Sequence, residues 1–434
     1  MFSINKIPDI IENLNYKHFL SFIFFLATIF TALFDVALFS DSNTYIEMDR
    51  SRSPIYPIFL NLNKLVFGEF YLKPVIFFQF FIYFFSIYYF LNKIYLICNF
   101  DLAGLLMSTF FLVIPSFYFG NSILSESISF SFFILLLAEF IGFFKTKKTS
   151  NKIKIFFFFI LCSLTKPQLL FIFGVLIYIA LFLFLKSRKD GIIFFIGTIL
   201  SLIFIFNFNK AYHYFLHDKF ESDTNLGSQL IAMPVFLSTN ETLSNINQKN
   251  QKRFLNLVLE DLKEKNINFS YHSNINKSRQ YWIKLFQENY AQTISSINQS
   301  FNKLEINENQ NKFLLDLSFT LLKINFKIDP MSVVKGYFFN FAINGFYWIY
   351  LAICFFIFTF VLCVKNLSST RICIISLTLT IFALSHFFNI FLVTLIEPVI
   401  NRYRFITEVP FLALIVILIF NSINIKKVGK VNTS

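Results

Sequence analysis

The sequence predicts an all-α polytopic membrane protein, with about ten transmembrane helices, an outside juxtamembrane helix after the first span, and a mostly helical extracytoplasmic domain. Three observations predict it. Of 434 residues, 56% are hydrophobic and 15% charged, with a mean hydropathy of +0.62; a water-exposed surface on a chain of this length needs far more polar residues. The apolar residues fall in runs long enough to cross a bilayer. Lysines gather in short connections between those runs, the signature of a cytoplasmic face.

Composition also excludes some classes. The 67 phenylalanines, with abundant Ile, Lys and Asn, reflect AT-rich coding as much as physical demand and point to no function. A net charge of +13 could serve a polyanion, but the lysines flank apolar runs instead of forming one patch, so no nucleic-acid partner is expected. Cys98, Cys162, Cys354, Cys363 and Cys373 lie in or beside apolar runs without paired spacing. Neither a disulfide framework nor a zinc site is indicated. Lys6 and Lys17 precede an apolar stretch too long for a cleaved signal, which reads as a signal anchor.

Full-length runs cover 18–39, 73–97, 102–119, 122–144, 168–186, 191–209, 337–363, 372–395 and 405–422. The apolar stretch 155–165 reaches only about 16 Å at helical rise, so it is either a short membrane helix or a re-entrant one. Counting it gives ten. Segment 145–154 holds five lysines; Lys186, Arg188 and Lys189, then Lys365 and Arg371, then Lys426, Lys427 and Lys430 mark three further basic stretches. All four fall on the cytoplasmic side, with both termini, only if the short segment crosses. The expected location is a bacterial inner membrane.

The chain then divides into an N-terminal transmembrane module, 1–209, with a first outside loop at 40–72; a polar extracytoplasmic domain, 210–336; and a C-terminal transmembrane module, 337–434. The polar domain carries a helical period at Trp282, Phe286, Tyr290, Ile294, Ile297, Phe301 and Leu304. No internal repeat and no inverted pair of interrupted helices is present.

The chemistry concentrates in the first outside loop. Asp41, Tyr45, Glu47, Asp49, Arg50, Arg52, Pro54, Tyr56 and Pro57 stand between Ser40 and Leu60, dense for a connector at the membrane surface. Segment 55–67 is apolar but short, so it is expected to lie in the interface as an amphipathic helix. An aspartate just after the first span, a tyrosine four residues on, and an R-x-P-x-Y-P run entering that helix comprise Asp41, Tyr45, Arg52, Pro54, Tyr56 and Pro57.

This arrangement resembles the GT-C superfamily of membrane glycosyltransferases, which includes protein O-mannosyltransferases and aminoarabinose transferases. The resemblance implies transfer of a sugar from a polyprenyl-phosphate carrier to a lipid, glycan or protein acceptor, with inversion and with Asp41 as general base. A sugar hydroxyl is a poor nucleophile until a carboxylate takes its proton. The alternative is that Asp41 or Thr44 caps the following helix, since Thr44-x-x-Glu47 fits a capping box. Asp35, near the end of a span, is a rival base.

Three further segments match. In the loop between the third and fourth spans, a Ser-Glu pair opens a membrane helix, and the resemblance implies Glu126 in the active site or beside a cation; the helix dipole alone would also favour an acid there. Lys166 and Gln168, in LTKPQLL, stand where the chain turns at Pro167. A half-buried lysine facing the bundle suits a lipid phosphate, and one reaching the headgroups would snorkel. Arg402 and Arg404 frame Tyr403 in an R-Y-x-x-P-like element before the last span, with Glu397 and Glu408 nearby to orient them. They suit the leaving phosphate or anchor the helix to headgroups.

His213 and His217, at i and i+4 before Asp218, read as a polar helix face because no third ligand stands with them. No cofactor is assigned, and participation of a divalent cation is left open. Two other functions fit the architecture. A glycan polymerase or ligase using a diphosphate-linked oligosaccharide would lean on arginines of the large outside loop. A lipid or glycan flippase would need a polar path through the spans.

Overall fold

The computed structural model describes residues 35–95, 97, 102–218, 220, 226–267, 279–304, 309–344, 350, 370–396 and 401–431, with scattered positions at 21–29 and 353–361. Every regular element among them is a helix. Contacts divide the chain into two units: residues 1–222 with 351–388 and 405–434, and residues 223–350 with 389–404.

In the first unit, α1 (Ser42–Ile46) and α2 (Ile55–Phe67) form the loop after the first expected span, followed by α3 (Leu72–Tyr95), α4 (Leu102–Phe119), α5 (Glu126–Thr146), α6 (Thr149–Thr165), α7 (Ile172–Lys186) and α8 (Arg188–His217). A two-residue connection joins α5 to α6. Lys147 takes a left-handed φ of 52° there, and its N–H closes the last turn on the Phe143 carbonyl. Pro167 disfavours helix at the residue before it, so Lys166 is extended (φ −147°, ψ 113°) and α6 ends.

Among the described residues six helices are long and apolar enough to cross a membrane: Leu72–Tyr95, Glu126–Thr146, Pro167–Leu185, Arg188–His217, Ile374–Ile396 and Tyr403–Phe420. Their outward faces are apolar too, as at Phe195, Ile196, Leu200, Ile203 and Phe204 of α8. Such surface is stable against acyl chains and costly in water. These are the helices of a multi-pass membrane protein. The expected spans at 18–39 and 337–363 lie mostly outside the described residues. The apolar part of α4 is shorter, Leu106–Ser116. Helix α6 runs 17 residues, starting six before the apolar stretch that betrayed it, because Asn151 and Lys152 find partners inside the bundle.

The second unit holds α9 (Leu226–Phe236), α10 (Asn240–Ser244), α11 (Lys249–Glu264), α12 (Arg279–Lys303), α13 (Gln310–Ile328) and α14 (Pro330–Asn344). The period read from the sequence is the buried stripe of α12: Phe286, Ile297 and Phe301 enter the core, with Tyr290, Ile294 and Leu304 against it. The side chain of Trp282 lies outside the described residues. Gly227 is glycine because a Cβ there would sit 2.4 Å from the Asn311 carbonyl oxygen. The last two helices, α15 (Thr370–Ile396) and α16 (Asn401–Val431), contribute to both units.

A buried amide ties the second unit together. Asn325 of α13 accepts a 2.7 Å hydrogen bond from the Thr242 hydroxyl and donates at 2.9 Å to the Pro234 carbonyl. Replacing it by leucine keeps the branched shape but strands the Thr242 hydroxyl and takes a donor from the Pro234 carbonyl, so Asn325→Leu is expected to cost about 2 kcal/mol or more. Chemical unfolding followed by circular dichroism checks this; an unchanged midpoint would refute the hub.

Candidate functional site

The site begins with a backbone stitch. The Ala37 N–H donates to the Asn121 carbonyl at 2.9 Å, and the Ile123 N–H donates back to Ala37 at 3.2 Å. The Asn121 amide adds a 2.8 Å bond to the Asp35 carbonyl. Ser42, fully buried, accepts from the Phe39 N–H at 2.8 Å and donates to the Ile123 carbonyl at 2.9 Å. The loop after the first expected span is thus fastened to the connection between α4 and α5. Asp35 itself is exposed and takes part through its carbonyl.

On that foundation Arg52 organises the loop. Its Nη2 donates to Asp41 Oδ1 at 2.9 Å and its Nε to Thr44 Oγ1 at 2.7 Å. The guanidinium carbon lies 4.5 Å from the Tyr45 ring centroid. A planar fork of fixed donors can hold three side chains at once, which a lysine could not. The Asp41 side chain stays 27% exposed, so the carboxylate is oriented yet reachable.

This geometry disposes of the capping alternative. Helix α1 starts at Ser42, and Asp41, at its cap position, gives no side-chain hydrogen bond to the helix amides. Thr44 lies inside α1 and donates to the Asp41 carbonyl at 2.6 Å, while Glu47 follows the helix, exposed. No Thr44–Glu47 box forms, because Thr44 stands within the helix and not at its cap position.

Two tyrosines carry the loop inward. The Tyr45 hydroxyl stands 3.0 Å from Ser125 Oγ. Burial, with the negative charge of Glu126 next, pushes its phenol up to about 12 against the pull of Arg52. Tyr56 is fully buried, edge-on to Tyr45 at 5.0 Å between centroids, and burial pushes its phenol up as well. Its hydroxyl donates to Gln79 Oε1 at 2.7 Å, and Gln79 donates in turn to the Ser122 carbonyl at 3.1 Å. Gln79 and Ser42 escaped the sequence reading, and Ser125 entered it only as the neighbour of Glu126 in the Ser-Glu pair. The only signal for Gln79 was one amide inside an apolar run.

Beneath Ser125, Glu126 of α5 accepts from Lys166 Nζ at 2.9 Å, with the two side chains 4% and 10% exposed. Lys166 therefore neither snorkels nor waits uncompensated: its partner is a protein carboxylate. Gln168 is half-buried in the 3-10 turn Pro167–Phe171. The structure thus brings together Asp41, Tyr45, Arg52, Tyr56, Glu126 and Lys166, from three segments far apart in the chain. Arg402 and Arg404 stand in the first turn of α16 and group with the second unit. Arg404 is half-buried, and the side chain of Arg402 lies outside the described residues.

His217 Nε2 lies 3.0 Å from the Met48 carbonyl, with the His213 ring stacked 5.7 Å away. Among the described residues no three His, Cys, Asp or Glu side chains gather as a metal site. The chain matches no protein-family model, and neither curated proteins nor solved structures give a match.

Breaking a buried ion pair by removing one partner costs about 3–5 kcal/mol, because the other charge is left in low dielectric. Glu126→Gln and Lys166→Met are each expected to destabilise by that order, and the double variant by less than either. Thermal unfolding in detergent measures it; additive losses would show that the pair does not couple. Tyr45 adds an alkaline signature. Its folded phenol lies above the ordinary value of 10.0, so its stabilisation is whole below that pH and is lost as pH rises through about 12. The stability gap between wild type and Tyr45→Phe should narrow between about pH 9 and about pH 12; a constant gap would contradict it.

Proposed function

We propose that this protein is an integral membrane glycosyltransferase, moving a sugar from a polyprenyl-phosphate carrier to an acceptor hydroxyl at the extracytoplasmic face. The observation that carries the reading is Asp41, held by Arg52 at 2.9 Å yet reachable from solvent, above a buried Glu126–Lys166 pair.

In this mechanism the Asp41 carboxylate takes the proton of the acceptor hydroxyl as its oxygen attacks the anomeric carbon. The bond from that carbon to the carrier phosphate breaks, and the polyprenyl phosphate leaves with the bonding electrons. Attack opposite the leaving group inverts the centre. Arg52 fixes the direction of the carboxylate, and the Tyr45 ring packed against the guanidinium holds Arg52 in place. Most of the acceleration comes from aligning two substrates and from general-base assistance.

Six buried hydroxyls of the spans favour a transferase over a flippase: Ser129, Ser131, Thr198, Ser201, Thr378 and Thr380 each donate to a backbone carbonyl one turn back in their own helix.

Asp41→Asn keeps an oxygen for Arg52 but cannot accept the proton. Its transfer rate should fall about 10²–10⁴-fold with an unchanged unfolding midpoint. Purified protein, a radiolabelled polyprenyl-phosphate hexose and envelope glycolipids as acceptors supply the assay. Transfer at the wild-type rate by Asp41→Asn would remove Asp41 from the role of base.

A further inference from the structure

At the end of α5 opposite Glu126 lies a cavity of about 220 Å³, lined by Lys93, Lys145, Lys148 and Lys154 with Ser150 and Asn151. It is several times the volume of a water, about 30 Å³. Among the described residues no carboxylate lines it. Glu139 is buried below and already engaged: it accepts from the Tyr89 hydroxyl, from Asn151 Nδ2 at 2.7 Å, and has Lys154 Nζ at 3.7 Å. Four lysines around it, with Glu139 beside it already engaged, favour an anion over a cation as occupant.

The backbone reinforces the sign. Helix α6 opens at this cavity, and Lys148 at its cap position offers no side-chain acceptor to the first-turn amides. Those N–H groups and the positive end of the dipole favour an anion. Ser150 adds a hydroxyl of the kind that bonds phosphate oxygens.

The surroundings point to a lipid. Helix α5 has 21 residues, about 30 Å at helical rise, which is one hydrocarbon thickness. The cavity is thus at the membrane boundary opposite Glu126. Ile153 and Phe157, 64% and 53% exposed, follow Ser150 and Lys154 along α6 and offer an outward apolar stripe to an acyl chain. Basic pockets between membrane helices bind anionic headgroups by this combination.

We propose that this cavity binds a phosphate-bearing anion, and that the phosphate of an anionic phospholipid headgroup fills it. The site is independent of the transferase reading and would stand if that reading failed.

Lys145 and Lys148 are exposed and neither holds Glu139, so Lys145→Gln/Lys148→Gln should fold normally. The full chain in detergent is titrated with dioctanoylphosphatidylglycerol, dioctanoylphosphatidylcholine or inorganic phosphate, and thermal unfolding is followed. Saturable stabilisation by phosphatidylglycerol is expected, with an apparent Kd at least about tenfold weaker in the double variant, and none by phosphatidylcholine. If inorganic phosphate stabilises equally with the same lysine dependence, the phosphate site stands and its source is soluble. Stabilisation by either anion that ignores the two lysines, or no saturable stabilisation by either, overturns the proposal.

Discussion

Buried carboxylates on α5 set the register of the bundle around it. Glu126 and Glu139 are 1–4% exposed at two levels of one apolar helix, where an uncompensated charge is among the costliest things a fold can contain. The antiparallel α6 brings Lys166 to the first and Asn151 with Lys154 to the second. The acids are 13 residues apart and Lys154 and Lys166 are 12 apart, so at equal helical rise both contacts close in a single register. Sliding α6 by a turn would strand both acids together. The short connection through left-handed Lys147 leaves little slack for that. The candidate site and the opposite cavity are therefore two ends of the same constraint.

The backbone stitch between Ala37 and Asn121–Ile123 then hangs the first loop on the same helix. Polar backbone in an apolar setting must find partners within the protein, and the extended stretch before α1 finds them in the residues that lead into α5. Asp41 and Arg52 thereby inherit their position from Ser122–Glu126, although eighty residues separate Ser42 and Tyr45 from their partners. A charge pair that is part-exposed contributes little stability by itself. Its geometry is held by Thr44, Tyr45 and the edge contact with Tyr56, which leaves the Asp41 carboxylate positioned and part-exposed.

Much of this was legible in the sequence where the signal is local. Six spans, the helix 55–67 and the buried stripe of α12 follow from hydropathy and period alone. The dense polar loop was legible as well, and its Asp41, Tyr45, Arg52 and Tyr56 do meet. What escaped depends on partners distant in the chain. Five of the six residues Thr149–Lys154 are polar, so nothing local announces that they are helical; Glu139 and Asp190 supply the reason from elsewhere. Thr44 and Glu47 have capping spacing, but the spacing says nothing of where the helix begins, and Arg52 claims the Thr44 oxygen. Lys166 looked like a cation awaiting a phosphate because its carboxylate lies forty residues earlier.

The outer face of α2 bears on the height of the chemistry. Tyr56, Pro57 and Leu60 face the protein, while Leu62, Leu65, Val66, Phe67 and Phe70 are 41–86% exposed. Five large apolar side chains in one short stretch, with Lys64 among them, are stable where a headgroup layer meets acyl chains. Arg52 and Asp41 enter this helix through Ser53 and Pro54, so a helix held at the interface fixes the carboxylate at the same level. A carrier whose isoprenoid stays in the lipid presents its phosphate and sugar at that depth and nowhere else. The proposed transferase function thus asks nothing of α2 beyond what its exposed residues already require: under that proposal a lipid-borne donor and the aspartate share one plane, set by the partition of a single amphipathic helix.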